Sequence, residues 1–222
     1  MKTAILSVLA LALCIGVLAD PSPPLYDFSY YSSFDDTFVV NGTSYEVNGQ
    51  QFYDPKNNRE RVDRTNGRYD GFCSGVIPNV STPCIHYAVN NKRWLAFPQK
   101  KVCCFCCDSA HGCGILRSDW LRDAKYEGEE KIIDTVYEKW SQDGMFGYNY
   151  FWASKSESRA PRKLDQGGKH ITDYSTHSFR KQTFEDSVFA LPVYCNQETI
   201  VNCPLESICG KLRNGEVKGA KQ

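Results

Sequence analysis

The chain has 222 residues, with 26 Lys and Arg against 26 Asp and Glu, and 11 cysteines. That length suits one domain or a small pair. The balanced charge leaves no electrostatic case for nucleic acid or for an anionic membrane surface.

Residues 1–19 read as an export signal. Lys2 supplies the positive start, residues 4–18 are almost unbroken apolar, and Val17 and Ala19 are small residues before a cut at Asp20. The run is too short for a membrane span, which takes about 20 apolar residues, and no second one follows. Its removal takes away Lys2 and Cys14, leaving ten cysteines and a net charge near −1. An even cysteine count in an exported chain implies a disulfide framework. The compartment it predicts is extracellular, or the lumen of the secretory pathway. The sequons Asn41-Gly42-Thr43 and Asn79-Val80-Ser81 mark Asn41 and Asn79 as glycosylation acceptors on surface loops.

Residues 20–36 (DPSPPLYDFSYYSSFDD) are rich in proline and tyrosine without periodicity, and read as an extended N-terminal arm. One disulfide-rich β domain is expected over residues 37–213, followed by a C-terminal tail at 214–222. From Thr37 the pattern is strand, turn, strand, turn, strand, with Asn41-Gly42 and Asn48-Gly49 as the turns. Residues 54–58 (DPKNN) form a further turn, and alternation resumes over 59–63. Residues 85–89 and 93–97 flank Asn90-Asn91-Lys92 as a hairpin, with Ile85, Tyr87 and Val89 on one face and His86 on the other.

Residues 102–113 hold Cys103, Cys104, Cys106, Cys107 and Cys113. In an extended segment the neighbours of each pair point to opposite sides, so one side can be stapled to chain before the knot and the other to chain after it. The expectation is that all ten cysteines are bridged, with the knot tied both to the region of Cys73 and Cys84 and to Cys195, Cys203 and Cys209.

After the knot, residues 118–124 read as a short helix capped by Ser118, with Trp120 and Leu121 facing inward. Residues 129–140 are ambiguous. Ile132, Ile133, Val136, Tyr137 and Trp140 make a helical stripe, yet the residue types are strand-prone and alternation also works. Residues 145–153 read as a strand with Tyr148, Tyr150 and Trp152 on one face. A polar turn at 155–159 precedes a returning strand from Pro161, and a short helix pinned by Cys203 and Cys209 is expected over 203–213.

The chemistry candidates are thin. Cys103–Cys107 with His111 and Cys113 offer soft zinc ligands, but an oxidising compartment converts such thiols into bridges. No odd thiol remains to act as a nucleophile with His111 or His170, and no Gly-x-Ser-x-Gly or phosphate loop is present. The acidic pairs Asp35/Asp36 and Glu129/Glu130 read as solvated turns. No catalytic residue, metal or cofactor is expected.

The order of features from Tyr126 to Cys195 carries a resemblance. Tyr126-Glu127-Gly128 leads to a segment ending at Trp140, then GYNYFWAS, then Ala160-Pro161-Arg162-Lys163-Leu164, and finally Phe189-Ala190-Leu191-Pro192-Val193-Tyr194-Cys195. This resembles the ependymin-related proteins and, more remotely, the bacterial lipoprotein carriers of the LolA/LppX type. The resemblance implies that residues 129–140 are a strand with Ile132, Val136 and Trp140 on one face. It also implies a strongly bent antiparallel sheet, a half-barrel around an apolar cavity, and a binder with no catalytic residues.

The expected class is therefore mainly β with few short helices, stapled by disulfides. The expected role is non-enzymatic binding of a lipid or other apolar small molecule. Trp94, Phe97, Trp140, Tyr148, Tyr150, Trp152 and Phe189 are the expected lining. The alternative is a structural or interaction glycoprotein of the cell surface or extracellular layer, with protein partners and a fully packed sheet. A thiol-metal or redox module is a third reading.

Overall fold

In the computed structural model, which describes residues 20–144, 147–195 and 201–217, alternation begins earlier than expected. Strand β1 (Tyr30–Val40) takes in Tyr30–Asp36, which composition assigns to the arm. Tyr30, Ser32, Phe34, Asp36 and Phe38 are its buried row; polar Ser32 and Asp36 interrupt the apolar pattern, which hid the strand. The segment expected to be an export signal, with Cys14, residues 145 and 146 of the strand expected over 145–153, and residues 218–222 lie outside the described residues.

Asn41 and Gly42 turn the chain at positive φ into β2 (Thr43–Asp54). Asn48-Gly49 is not a second turn: β2 runs straight through it. A Cβ at Gly49 would overlap the Phe34 ring and come within 2.8 Å of the Asp63 carbonyl oxygen, so this glycine makes room for a ring on the facing strand. Asp54 to Asn58 form the expected turn, a short 3-10 stretch ended by Asn58 at φ 50°. β3 (Arg59–Arg64) follows, and after residues 65–83 come β4 (Cys84–Val89) and β5 (Lys92–Phe97), joined by Asn90 and Asn91 at positive φ.

The cysteine knot is β6 (Val102–Asp108), and its alternation is broken once. Trp94 pairs with Phe105 but Arg93 pairs with Cys107, so Cys106 is the extra residue of a bulge. The bulge turns Cys107 to the face of Cys104, and Cys104, Cys106 and Cys107 share one buried cluster while Cys103 joins another. All ten cysteines of the described residues are bridged: Cys73–Cys84, Cys103–Cys195, Cys104–Cys203, Cys106–Cys209 and Cys107–Cys113. The expected tie from the knot back to Cys73 and Cys84 does not form, because those two meet each other. The three bridges to the C-terminal region span 92, 99 and 103 residues. In the chain-entropy model each such closure stabilises by about 4–5 kcal/mol.

Residues 118–124 are successive turns, not a helix. Trp120, Arg122 and Ala124 donate to the carbonyls three residues back, while the Asp119 carboxylate is held by Arg117 and Arg122. Trp120 and Leu121 do pack inward. Residues 129–140 are neither a helix nor one strand but a hairpin of β7 (Lys125–Ile132) and β8 (Thr135–Gly144), turning at Ile133 and Asp134. A two-residue turn that opens on φ 56° favours glycine, and Ile133 holds that position. β9 (Gly147–Ser154), β10 (Pro161–Gln166), β11 (His170–Tyr174) and the two-residue β12 (Arg180–Lys181) complete the antiparallel ladder. β13 (Val201–Asn202) pairs parallel with β6, and the helix expected over 203–213 is shorter, α1 (Ile208–Arg213): Ser207 caps it, Cys209 pins it from within, and Cys203 is bridged five residues before its start.

These strands form one large, curved, open sheet in the order β13-β6-β5-β4-β3-β2-β1-β11-β10-β9-β8-β7, with β12 also on β1. Both faces are partly covered. On one, Tyr30, Tyr53, Ala88, Trp140, Phe151 and Ala153 pack against Tyr26 of the arm and against Ile115 and Leu121. On the other, Ile85, Tyr87, Trp94, Ala96 and Cys103 pack against Leu191, Tyr194 and Cys195 of a strap, residues 184–195. No helix among the described residues is long and apolar enough to cross a membrane.

Candidate functional site

The register separates the residues expected to share one lining. Trp152 pairs with Lys139 and Lys163, and Tyr150 with Ser141 and Asp165, so their row faces the strap side. Tyr31, Phe52, Arg61, Tyr87 and Trp94 continue that face across the sheet. Trp140 pairs with Phe151 and lies on the arm side, where Phe97 also packs. Phe189 belongs to the strap. The expected lining is therefore split between two faces, and Trp94 is separated from Trp152 by the strands between β5 and β9.

The Tyr148–Tyr150–Trp152 row is an outer surface with its own partners. Lys139 Nζ lies 5.0 Å from the Tyr150 ring centre and 4.9 Å from that of Trp152, and Lys163 Nζ lies 5.1 Å from Trp152. The Trp152 indole N–H donates to Glu130 at 3.0 Å, and Lys139 closes on the same carboxylate. Trp152 is thereby only 4% exposed, while Tyr148, at the row's end, is 58% exposed. Amine, carboxylate and ring satisfy one another here.

A groove lies at the strap. It is open to solvent, spans about 640 Å³ and exposes more polar than apolar lining: Val89, Phe189, Ala190, Leu191, Pro192 and Val193 contribute the apolar part, and Asn57, Arg59, Asn90 and Asp186 stand at polar positions. The sequence builds its floor simply: β3 and β4 supply Arg59 and Val89, and the short 3-10 turn at Asp186–Phe189 inserts Phe189. Arg59 Nε donates to Asp54 at 2.7 Å and Nη1 to Asp186 at 2.6 Å, while the guanidinium sits 4.5 Å over the Phe189 ring. Arg61 Nη1 donates to the Val188 carbonyl at 3.0 Å. Cys195–Cys103 fixes the far end. Val193, 96% exposed, forms an apolar rim.

Under the arm-side face runs a buried charge chain that sequence reasoning missed. Tyr30 donates to Gln51, and Gln51 donates to Glu60 at 2.7 Å. Arg93 lies 3.9 Å from Glu60 and 3.4 Å from His86 Nδ1. His86 Nε2 meets Asp70 at 3.2 Å and Cys73 Sγ at 3.1 Å. Arg64 bridges Asp70 at 3.5 Å and Asp36 at 2.7 Å, and Asp36 also accepts from Thr172 at 2.6 Å and meets His170 Nε2 at 2.8 Å. Burial pushes His86 below its ordinary value even beside Asp70. Burial would raise the Asp70 carboxyl, but His86, Arg64 and the Cys73 amide hold it far below the carboxylate range. Burial would raise Asp36 too, and it is held down by Arg64 first and then by His170 and Thr172. The clue was positional: Asp36 stands between Phe34 and Phe38 in an inward row.

No family model and no curated protein matches the chain. Among solved structures, an uncharacterized conserved protein from Thermus thermophilus is similar with a TM-score of 0.48 at 11% identity, over 79% of this chain and 90% of that one. A LolA-superfamily protein from Nitrosomonas europaea gives 0.37 at 12% identity, over 76% and 92%. A putative outer membrane lipoprotein-sorting protein domain from Vibrio parahaemolyticus gives 0.39 at 11% identity, over the same shares. At such scores the likeness assigns no ligand and no activity.

His86, Cys73 and Cys84 come together, as do Cys106, Cys107 and Cys113, in the spacing of metal ligands. Both groups have their sulfurs in disulfides, which withdraws the thiolates zinc requires. Asn41 and Asn79 are both exposed, each in a turn at positive φ.

Proposed function

We propose that this protein is an exported, non-catalytic binder of an apolar or amphipathic small molecule of the lipid class, and that its site is the strap groove. The observation that carries the reading is the groove itself. Its volume of about 640 Å³ falls among ligand pockets of roughly 300–1,000 Å³. Val89, Leu191, Pro192 and Val193 give an acyl chain apolar contacts along an open groove whose lining is otherwise polar, and Arg59 with Asp186 offers polar partners at one end. An apolar ligand gains about 25 cal/mol for each Å² removed from water, so a modest chain binds without a charged anchor. Glycans at Asn41 and Asn79 would sit on turns outside this groove's lining.

The test is titration of the purified, disulfide-intact protein with a fluorescent fatty acid. Saturable binding that is lost in Leu191→Asp and kept in Tyr148→Ala supports the strap groove. Absence of any saturable signal sinks the binder reading.

The second reading, a packed interaction glycoprotein, draws on one observation. The arm-side face, where a half-barrel would hold its ligand, is filled by the chain's own Tyr26, Ile115 and Leu121. The same titration separates the two.

A further inference from the structure

Two tyrosines stand apart from every other tyrosine pair among the described residues. Tyr45 on β2 and Tyr69 in the segment between β3 and β4 stack with ring centres 3.8 Å apart and planes within 14°. Other tyrosine pairs are wider and more tilted: Tyr30 and Tyr53 stand at 5.1 Å and 40°, Tyr148 and Tyr150 at 6.4 Å and 30°. Aromatic pairs ordinarily settle at about 4.5–7 Å, so this contact is short as well as flat. Tyr30 and Tyr53 are also buried, whereas Tyr45 and Tyr69 are each only partly buried and keep some surface open to solvent. Arg68 sits 5.5 Å from the Tyr69 ring centre.

We propose that Tyr45 and Tyr69 form an oxidative coupling site that yields one intramolecular dityrosine cross-link. The co-reactant is hydrogen peroxide, used through a one-electron oxidant of the haem peroxidase class. Each phenol loses one electron and its hydroxyl proton, giving two phenoxyl radicals with spin shared onto the carbons ortho to oxygen. Those carbons on the facing rings form the new C–C bond, and each ring then moves its ortho hydrogen to oxygen to regain aromaticity. Two phenols and one hydrogen peroxide thus become one biphenol and two waters. Holding the two rings face to face converts a bimolecular radical encounter into an intramolecular one.

The placement gives the bond a structural consequence. The segment 65–83 is already held by Cys73–Cys84 and by Asp70 to Arg64 and His86. A bond at Tyr69 would tie it to β2 as well, next to the buried carboxylate of Asp70.

The experiment treats the full, disulfide-intact chain at low concentration with peroxidase and hydrogen peroxide. The expected product is a monomer lighter by two hydrogen atoms, with dityrosine emission and one cross-linked peptide pair holding Tyr45 and Tyr69. Tyr45→Phe and Tyr69→Phe each keep a stacked ring but have no phenol, so each should abolish that product while circular dichroism stays native. Tyr148→Phe should leave it unchanged. Coupling only between molecules, coupling at other tyrosines, undiminished yield in both stack variants, or no coupling at all would overturn the proposal.

Discussion

Replacing Arg64 by methionine keeps an unbranched apolar stem and removes the guanidinium, which lies 5.6 Å from the Phe34 ring centre and is the one cation shared by two buried carboxylates. Asp36 is 0% exposed, and its Oδ2 lies 2.7 Å from Arg64 Nε; Asp70 lies 3.5 Å from Nη1. Removing one partner of a buried pair costs about 3–5 kcal/mol, since a charge is left uncompensated. Asp36 keeps Thr172 and His170, and Asp70 keeps His86 and the Cys73 amide, so the cost stays at about 3–5 kcal/mol and does not double. Urea unfolding at neutral pH with the disulfides intact measures it. Without Arg64 both carboxyls should titrate at higher pH than they do beside it. Part of the loss should then return as pH falls and the acids take up protons. The triple replacement Arg64→Met, Asp36→Asn, Asp70→Asn should recover most of it. A loss below about 1 kcal/mol in the single variant, or a triple variant as weak as the single, would refute the argument from stranded charge.

Ile133→Gly should raise stability. A β-branched residue at φ 56° carries strain of about 1–3 kcal/mol, and Ile133 is 84% exposed, so little burial is lost; a lower thermal midpoint would contradict this. The His86 value is depressed in the fold, so folding favours the neutral ring. Stability present above the unfolded value of about 6.5 should therefore decline as pH falls below it, and His86→Gln should flatten that decline in pH-dependent unfolding.

Local turn chemistry was legible wherever the turn residue had no other duty. Asn41-Gly42, Asn58 and Asn90-Asn91 all sit at positive φ where their types predict it. Asn48-Gly49 misled because Gly49 answers to Phe34 across the ladder, a contact no local pattern encodes. The hairpin at Ile133 was hidden for the opposite reason: its turn carries an isoleucine where a glycine would have announced it. Cysteine parity and compartment foretold complete bridging, but the partners depended on a bulge at Cys106 that alternation alone cannot place. The site was harder still. Phe189 was named from sequence and lines the groove, whereas Arg59, Asp186 and Leu191 meet it through chain crossings from distant segments. For the stripe at Tyr148, Tyr150 and Trp152, alternation shows that a face exists without showing what covers it.

The most direct measurement of the central claim is photo-cross-linking with a fatty acid that carries a diazirine on its acyl chain, followed by peptide mapping. The account predicts saturable labelling, competed by unlabelled fatty acid, at Val89 and within residues 189–193 of the strap. Label confined to Tyr148–Trp152, label on the arm-side residues Tyr26, Ile115 and Leu121, or no competed label at all would contradict it.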